Sequence, residues 1–263
     1  MAVQIAAVLL ALYAAVLALL WWGQERLLFR PDVLPADHRF AIDGDVHERF
    51  VDVPGARLHA LHLQLPSARG VVLYLHGNAG SLEGWFTHLE PYRRANFDVF
   101  MIDYRGYGKS SGAIGSEAQL HADVRAAWDA IAAQYTGRKR VWLGRSLGSG
   151  LAAQLATQVP PDLTILVSPY ASMRTLAGEL YPWVPSRLLR YPLDTAALIA
   201  RIPSPVLLVH GEQDDLIPVA HSRALQPLHP RAELRVIAKA GHNDLQEFDA
   251  YGAAIVEALA AIP

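Results

Sequence analysis

The chain has 263 residues, with 23 Lys+Arg against 25 Asp+Glu and a formal charge of −2. That balance argues against nucleic-acid binding through a broad basic field. The absence of cysteine excludes disulfides, thiol nucleophiles and Cys-ligated metals.

Hydrophobic residues make up 52% of the chain, and the excess sits at the N-terminus. Of the first 22 residues only Gln4 is not apolar, and Glu25 is the first charged side chain. The remainder, at about 48%, has ordinary globular composition. A helix over the apolar stretch would rise ~30 Å, enough to cross a bilayer core. Trp21 and Trp22 fall where an interfacial aromatic belt belongs, and Arg26 and Arg30 follow. A cleaved signal peptide fits less well, because no Lys or Arg precedes the apolar run and no small-x-small site ends it. A buried core helix also fits less well, since no polar face is marked. The expectation is a membrane anchor over residues 1–24, a linker over 25–45 and a catalytic domain over 46–263. Arg26, Arg30 and Arg39 follow the span while only the α-amino group precedes it, which narrowly favours a cytoplasmic body.

In the body, short apolar runs alternate with helical patterns. Val71–Leu75, Val99–Ile102, Val141–Leu143, Leu163–Val167, Val206–Val209 and Leu234–Ile237 are compact strand candidates bounded by Gly, Pro, Asp or Asn. An antiparallel lead-in is expected from Arg49–Val53 and Leu58–Leu65 across Pro54-Gly55. Ser116-Glu117-Ala118-Gln119 reads as a capping box opening a helix that runs to about Tyr135. Leu147–Gln158, Ala220–Gln226 and Glu247–Ala261 read as further helices. Continuous apolar strands between helices imply an α/β fold, its central sheet mostly parallel and covered on both faces. Residues 168–204 break the rhythm with Pro169, Pro182, Pro185 and Pro192 among several aromatics. They read either as an irregular connection or as a cap over a cleft, with Tyr170 and Trp183 in an apolar wall that binds substrate.

Gly144-Arg145-Ser146-Leu147-Gly148 is G-x-S-x-G, directly after the strand at Val141–Leu143 and at the start of an Ala/Leu-rich helix. A nucleophile on a sharp strand-to-helix turn needs small residues two positions either side, which Gly144 and Gly148 supply. The helix N-terminus adds backbone N–H groups and positive dipole where an oxyanion would form.

Four further motifs occur in order with this one. They are His76-Gly77-Asn78-Ala79-Gly80, Asp103-Tyr104-Arg105-Gly106-Tyr107-Gly108-Lys109-Ser110, His210-Gly211-Glu212-Gln213-Asp214-Asp215-Leu216-Ile217-Pro218 and Ala240-Gly241-His242-Asn243. Together they resemble the α/β-hydrolase family, and more narrowly its membrane-anchored branch of short serine hydrolases, which includes lipid lipases and protein depalmitoylases. Arg26-Leu27-Leu28-Phe29-Arg30-Pro31 is similar to the stretch that follows the anchor there. The resemblance implies an oxyanion loop at residues 76–80, an acid loop at 210–218 and a histidine loop at 240–243.

The chemical reading agrees. A serine hydroxyl needs a base, and the base needs an acid to hold its tautomer. In this fold the chain order is Ser, acid, His, which Ser146, Asp214 and His242 meet. Asp215 is the alternative acid, disfavoured by motif spacing. The backbone N–H groups of Leu147 and Asn78 are expected to hold the oxyanion. His76 and His210 read as braces for turns, Asp103 and Arg105 as props for their loop, and Ser149 as an ordinary helix-start serine. His59 and His62 read as surface residues that share no face and ligate nothing.

Two motifs from another class fail on inspection. Gly108-Lys109-Ser110 ends like a phosphate-binding loop, but the position of its first glycine holds Asp103. Gly148-Ser149-Gly150 mimics a dinucleotide fingerprint, yet the acidic residue roughly twenty positions on is missing. The expected protein is a serine hydrolase of acyl esters or thioesters with a small-molecule or lipid substrate, requiring no cofactor or metal. An aminopeptidase-like enzyme of the same fold and a non-catalytic binding protein at a membrane are the alternatives.

Overall fold

The computed structural model describes residues 1–263. Helix α1 spans Ala2–Leu28, carries no acidic residue in its first turn, and leaves almost all its side chains exposed up to Gly23. It is long and apolar enough to cross a membrane. It runs four residues beyond the expected end, because Gln24 and Glu25 find partners in the body and the helix continues until Phe29 turns extended.

The body is built on eight strands: β1 (Val46–Val53), β2 (Ala56–Leu63), β3 (Gly70–Leu75), β4 (Phe97–Ile102), β5 (Lys139–Arg145), β6 (Leu163–Val167), β7 (Val206–Gly211) and β8 (Ala232–Ile237). Their order across the sheet is β1-β2-β4-β3-β5-β6-β7-β8. The pairs β1–β2 and β2–β4 are antiparallel and all others are parallel. The antiparallel hairpin turns at Pro54-Gly55, as expected.

Strands buried on both faces explain the unbroken apolar runs. In β3, Val71, Leu73 and Leu75 join one core while Val72 and Tyr74 join the other. Helix α2 (Glu90–Ala95) and helix α8 (Asp249–Ala260) supply Tyr92, Tyr251, Ile255 and Leu259 to the second core. On the opposite face α3 (Glu117–Asp129) contributes Leu120, Val124 and Trp128, and α4 (Leu147–Gln158) contributes Leu151 and Leu155. Ser116 caps α3 by accepting from the Gln119 N–H at 3.1 Å. That helix ends at Asp129 rather than near Tyr135. A separate turn, Ala132–Tyr135, then brings the Tyr135 hydroxyl to donate to Asp98 at 2.6 Å.

Residues 168–204 form a connection of short pieces, α5 (Met173–Leu180), a single turn at Ser186–Leu188 and α6 (Thr195–Ile199). Helix α7 (Ala220–Leu225) follows β7.

Two sequence expectations are corrected here. His59 and His62 do lie on opposite faces of β2, but neither is at the surface: both are fully buried. The sheet is covered on both sides even at this strand. Phe40, from the stretch before β1, stacks on His59 with centroids 5.1 Å apart, and His59 Nδ1 lies 3.2 Å from Asp103. On the other face His62 Nε2 donates to the Tyr135 hydroxyl at 2.7 Å. The stretch after α1 is likewise no free linker. Arg30–Pro31 pairs in parallel with Ala79–Gly80, and Val33 bridges Gly108.

Candidate active site

Ser146 stands between β5 and α4 with φ +52° and ψ −118°. This left-handed geometry is strained for a residue with a Cβ, and such strain persists where surrounding structure enforces it. The enforcement is visible. A methyl on Gly144 would collide with the Gly148 carbonyl, and one on Gly148 with the Leu75 carbonyl at the end of β3. The two flanking positions must therefore be glycine for the turn to close.

The loops after β7 and β8 deliver the other two groups. His242 Nδ1 donates to Asp214 Oδ2 at 2.7 Å, and a carboxylate can only accept there. The opposite nitrogen, Nε2, is then unprotonated and accepts from the Ser146 hydroxyl at 3.2 Å. Asp214 also accepts backbone N–H bonds from Leu216 at 3.1 Å and Ile217 at 2.8 Å. Burial alone would raise its carboxyl pKa, but bonds from His210 and His242 outweigh that and hold it well below the usual carboxylate range. Asp214 is therefore charged at neutral pH and can stabilise an imidazolium on His242. Asp215 is exposed and makes no bond to His242.

Where an oxyanion would sit, the N–H groups of Leu147 and Asn78 make no hydrogen bond to any protein acceptor. A methyl on Gly77 would press on the Trp85 ring and come within 3.7 Å of the Ser146 Cβ. Each of the two donor residues has its carbonyl fixed by a buried tyrosine. Tyr107 donates to the Asn78 carbonyl at 2.7 Å and Tyr170 to the Leu147 carbonyl at 2.9 Å. Burial pushes both phenols upward in pKa, so they remain protonated donors.

Tyr170 is thus corrected from a wall of a substrate cleft to a support of the elbow, since it is fully buried and its hydroxyl is engaged. Trp183 is half exposed, and its carbonyl accepts from Tyr13 of α1 at 2.8 Å. The bracing residues do brace: His76 Nδ1 donates to the Gly77 carbonyl at 2.7 Å, and His210 Nε2 to the Ile217 carbonyl at 2.7 Å. Arg105 forks onto buried Asp123 at 2.6 and 2.8 Å, while Asp103 accepts from Leu82 N–H at 3.0 Å. Ser149 donates to the Ser146 carbonyl at 2.7 Å.

Sequence reasoning passed over Arg145. Its guanidinium is buried, donates to the His242 carbonyl at 2.7 Å and to Gln246, and lies over the Trp85 ring at 5.1 Å. It ties the histidine loop to the strand that carries Ser146. Its place beside the serine was the available signal. A groove of about 450 Å³ opens beside Arg145 and Asn243, the chain neighbours of Ser146 and His242, with Asp32 and Leu34 in its wall. No group of three or more His, Asp or Glu side chains is arranged to hold a metal ion.

A chain of acid, base and hydroxyl beside two free N–H donors can activate the hydroxyl as a nucleophile and stabilise a tetrahedral oxyanion.

Comparisons with known proteins agree with this fold. A family model described as serine aminopeptidase, S33, matches residues 66–198. An uncharacterized protein of Mycobacterium tuberculosis is 30% identical over 94% of this chain and 90% of its own length. The alpha/beta hydrolase domain-containing protein 17C of Xenopus tropicalis is 34% identical over 71% of this chain, which spans 60% of that protein's length. Among solved structures, an esterase of Pyrococcus furiosus superposes with a TM-score of 0.69 at 18% identity, covering 89% of this chain and 98% of its own. A thioesterase domain from the curacin biosynthetic pathway gives 0.61 at 16%, covering 81% and 99%. By fold and by these matches, the chain belongs to the α/β-hydrolase superfamily.

Proposed function

We propose that this protein is a membrane-anchored serine hydrolase that cleaves acyl esters or thioesters through Ser146, His242 and Asp214. The observation that carries the proposal is the unbroken hydrogen-bond chain from Ser146 Oγ through His242 to Asp214. His242 Nε2 takes the hydroxyl proton as Ser146 attacks the acyl carbonyl. The carbonyl oxygen gains the charge and is met by the N–H groups of Leu147 and Asn78. Collapse of the tetrahedral species expels the alcohol or thiol, which takes the proton back from His242. A water then repeats the sequence on the acyl-enzyme and frees the acid. No cofactor or metal enters this cycle.

The lipophilic substrate class rests on the anchor and on the resemblance to lipid lipases and depalmitoylases. Helix α1 is apolar from Ala2 to Trp22 apart from Gln4, which suits a single span with the body at the membrane surface. The positive charges after it favour the cytoplasmic side.

A second reading, an aminopeptidase-like enzyme, is favoured by the description of the matching family model. It needs a free carboxylate to hold a substrate amine. In the connecting segment Asp194 caps α6 through the Ala197 N–H, and Glu179 is engaged by His221. That supply is poor.

A fluorophosphonate probe tests the first reading. The wild-type chain is expected to be labelled, and Ser146→Ala not. Equal labelling of the two would remove the serine-hydrolase reading, and no labelling of either would favour a non-catalytic binding protein. Turnover of p-nitrophenyl esters of rising chain length, set against aminoacyl amides, separates esterase from peptidase.

A further inference from the structure

We infer that the segment leaving the anchor helix, Leu28–Asp32, is a positioning element of the active site that holds the oxyanion loop, in addition to tethering the body. This rests on the proposed role of the Asn78 N–H.

Asn78 is gripped from this segment on two sides. The Arg30 N–H donates to the Asn78 carbonyl at 2.8 Å, and the Asn78 side-chain amide donates to the Leu28 carbonyl at 3.1 Å. The ladder continues as Asp32 N–H donates to the Gly80 carbonyl at 2.9 Å. The Asn78 N–H shares its rigid peptide plane with the Gly77 carbonyl, which accepts from His76 at 2.7 Å, and that plane turns on the Asn78 Cα, which the bonds from this segment to the Asn78 carbonyl and side chain hold in place. From the body only the Tyr107 hydroxyl donates to the Asn78 carbonyl, and the other partners come from nearly fifty residues upstream.

The segment is itself clamped at both ends. Upstream, Gln24 donates to the Leu188 carbonyl at 2.6 Å and accepts from the Arg190 N–H at 2.8 Å. Glu25 pairs with Arg190 at 2.7 Å and accepts from the Tyr191 hydroxyl at 2.8 Å. The Phe29 ring meets Tyr191 edge-on at 5.1 Å. Downstream, Gly108 N–H donates to the Asp32 carbonyl at 2.9 Å. The last turn of the anchor, the connecting segment and the oxyanion loop therefore form one hydrogen-bonded unit. Misplacing a transition-state donor by a fraction of an ångström lowers the rate of chemistry while leaving ground-state binding in place.

The test uses the full chain in detergent with a p-nitrophenyl ester and a fluorophosphonate probe. Arg30→Pro removes the N–H that Asn78 accepts and keeps an extended backbone. It is expected to lower kcat roughly 10- to 100-fold with KM little changed, and to slow probe labelling in step. Arg30→Ala, which keeps the N–H, should restore most of the loss. Val33→Pro stiffens the adjacent chain at a residue whose own N–H donates to nothing, and should leave kcat close to wild type. Asn78→Ala removes only the side-chain bond to Leu28. It should give a smaller kcat loss together with weaker binding of a trifluoromethyl ketone, and it serves if Arg30→Pro does not fold. Full kcat in both Arg30→Pro and Asn78→Ala, or equal losses in Arg30→Pro and Arg30→Ala, would overturn the inference while leaving the serine-hydrolase reading intact. A wild-type chain that the probe does not label would overturn both.

Discussion

The parallel part of the sheet and the N-terminal sixty residues place functional groups by different means. From β3 to β8 each proposed group sits in the turn or loop that follows a strand. Ser146 follows β5, Asp214 follows β7 and His242 follows β8. Before β3, the residues proposed to support the site, Leu28, Arg30 and Asp32, bond through backbone atoms to a loop far along the chain. The first arrangement is held by sheet hydrogen bonds and two packed cores, and the second by a handful of bonds between irregular segments. Rigid scaffold and borrowed support should therefore respond differently to substitution.

The largest expected effects fall on the scaffold side. Ser146→Ala should lower kcat on the order of 10⁵-fold or more, since the hydroxyl is the only nucleophile in the proposed cycle. Asp214→Asn keeps the shape but lets His242 adopt the wrong tautomer, and about 10³- to 10⁴-fold loss is expected. Steady-state kinetics on one ester checks both. Retained activity in Asp214→Asn would mean that the 2.7 Å bond to His242 does not set its tautomer. Gly148→Ala has no room beside the Leu75 carbonyl, and should cost at least ~3 kcal/mol in denaturant unfolding or prevent folding. A stable Gly148→Ala protein would show that β3 and the elbow are less tightly joined than the two cores suggest.

The same contrast governs how much was legible in the sequence. Strand β6 matches its expected bounds, Leu163–Val167, because burial on both faces leaves a compact, mainly apolar run, and α4 matches at Leu147–Gln158 because an Ala/Leu-rich stretch opens directly after the G-x-S-x-G turn. The order Ser146, Asp214, His242 was readable because Ser146 and Asp214 follow buried strands, while β8 is a half-exposed edge strand and His242 was read from the motif Ala240-Gly241-His242-Asn243. His59 and His62 were misjudged because a strand covered by irregular chain looks, residue by residue, like one open to water. Phe40 carries no periodic signal that it will stack on His59. Tyr170 was misplaced for a related reason. An aromatic near prolines suggests a cleft wall, whereas its hydroxyl belongs to the Leu147 carbonyl one strand away.

His62 gives a measurable consequence on the N-terminal side. Burial lowers its pKa to about 4, below the usual 6.5, with Arg49 and His47 adding to the effect. The folded state keeps the ring neutral while the unfolded chain protonates it. The stability it protects is therefore complete above pH 6.5 and falls as pH drops toward 4, by roughly 3 kcal/mol at most. Denaturant melts between pH 7 and 4 should show this decline, and His62→Gln should flatten it. An unchanged slope in the variant would assign the acid sensitivity to other groups.

The smallest effects come from the two tyrosines, and they compare the supports directly. Tyr107→Phe and Tyr170→Phe each delete one hydroxyl that donates to the carbonyl of a proposed oxyanion residue. Each buried bond is worth on the order of 1 kcal/mol, so neither change should unfold the protein. The Leu147 carbonyl belongs to α4, where it also accepts the helical bond from four residues on, and β5 fixes the chain just before it. The Asn78 carbonyl has only Arg30 left when Tyr107 loses its hydroxyl. Tyr107→Phe should therefore lower kcat about three- to tenfold, and Tyr170→Phe less than threefold, both with KM little changed. Should Tyr170→Phe prove the more damaging of the two, the elbow would depend on borrowed support as much as the Asn78 loop does, and the contrast between the two regions would not hold.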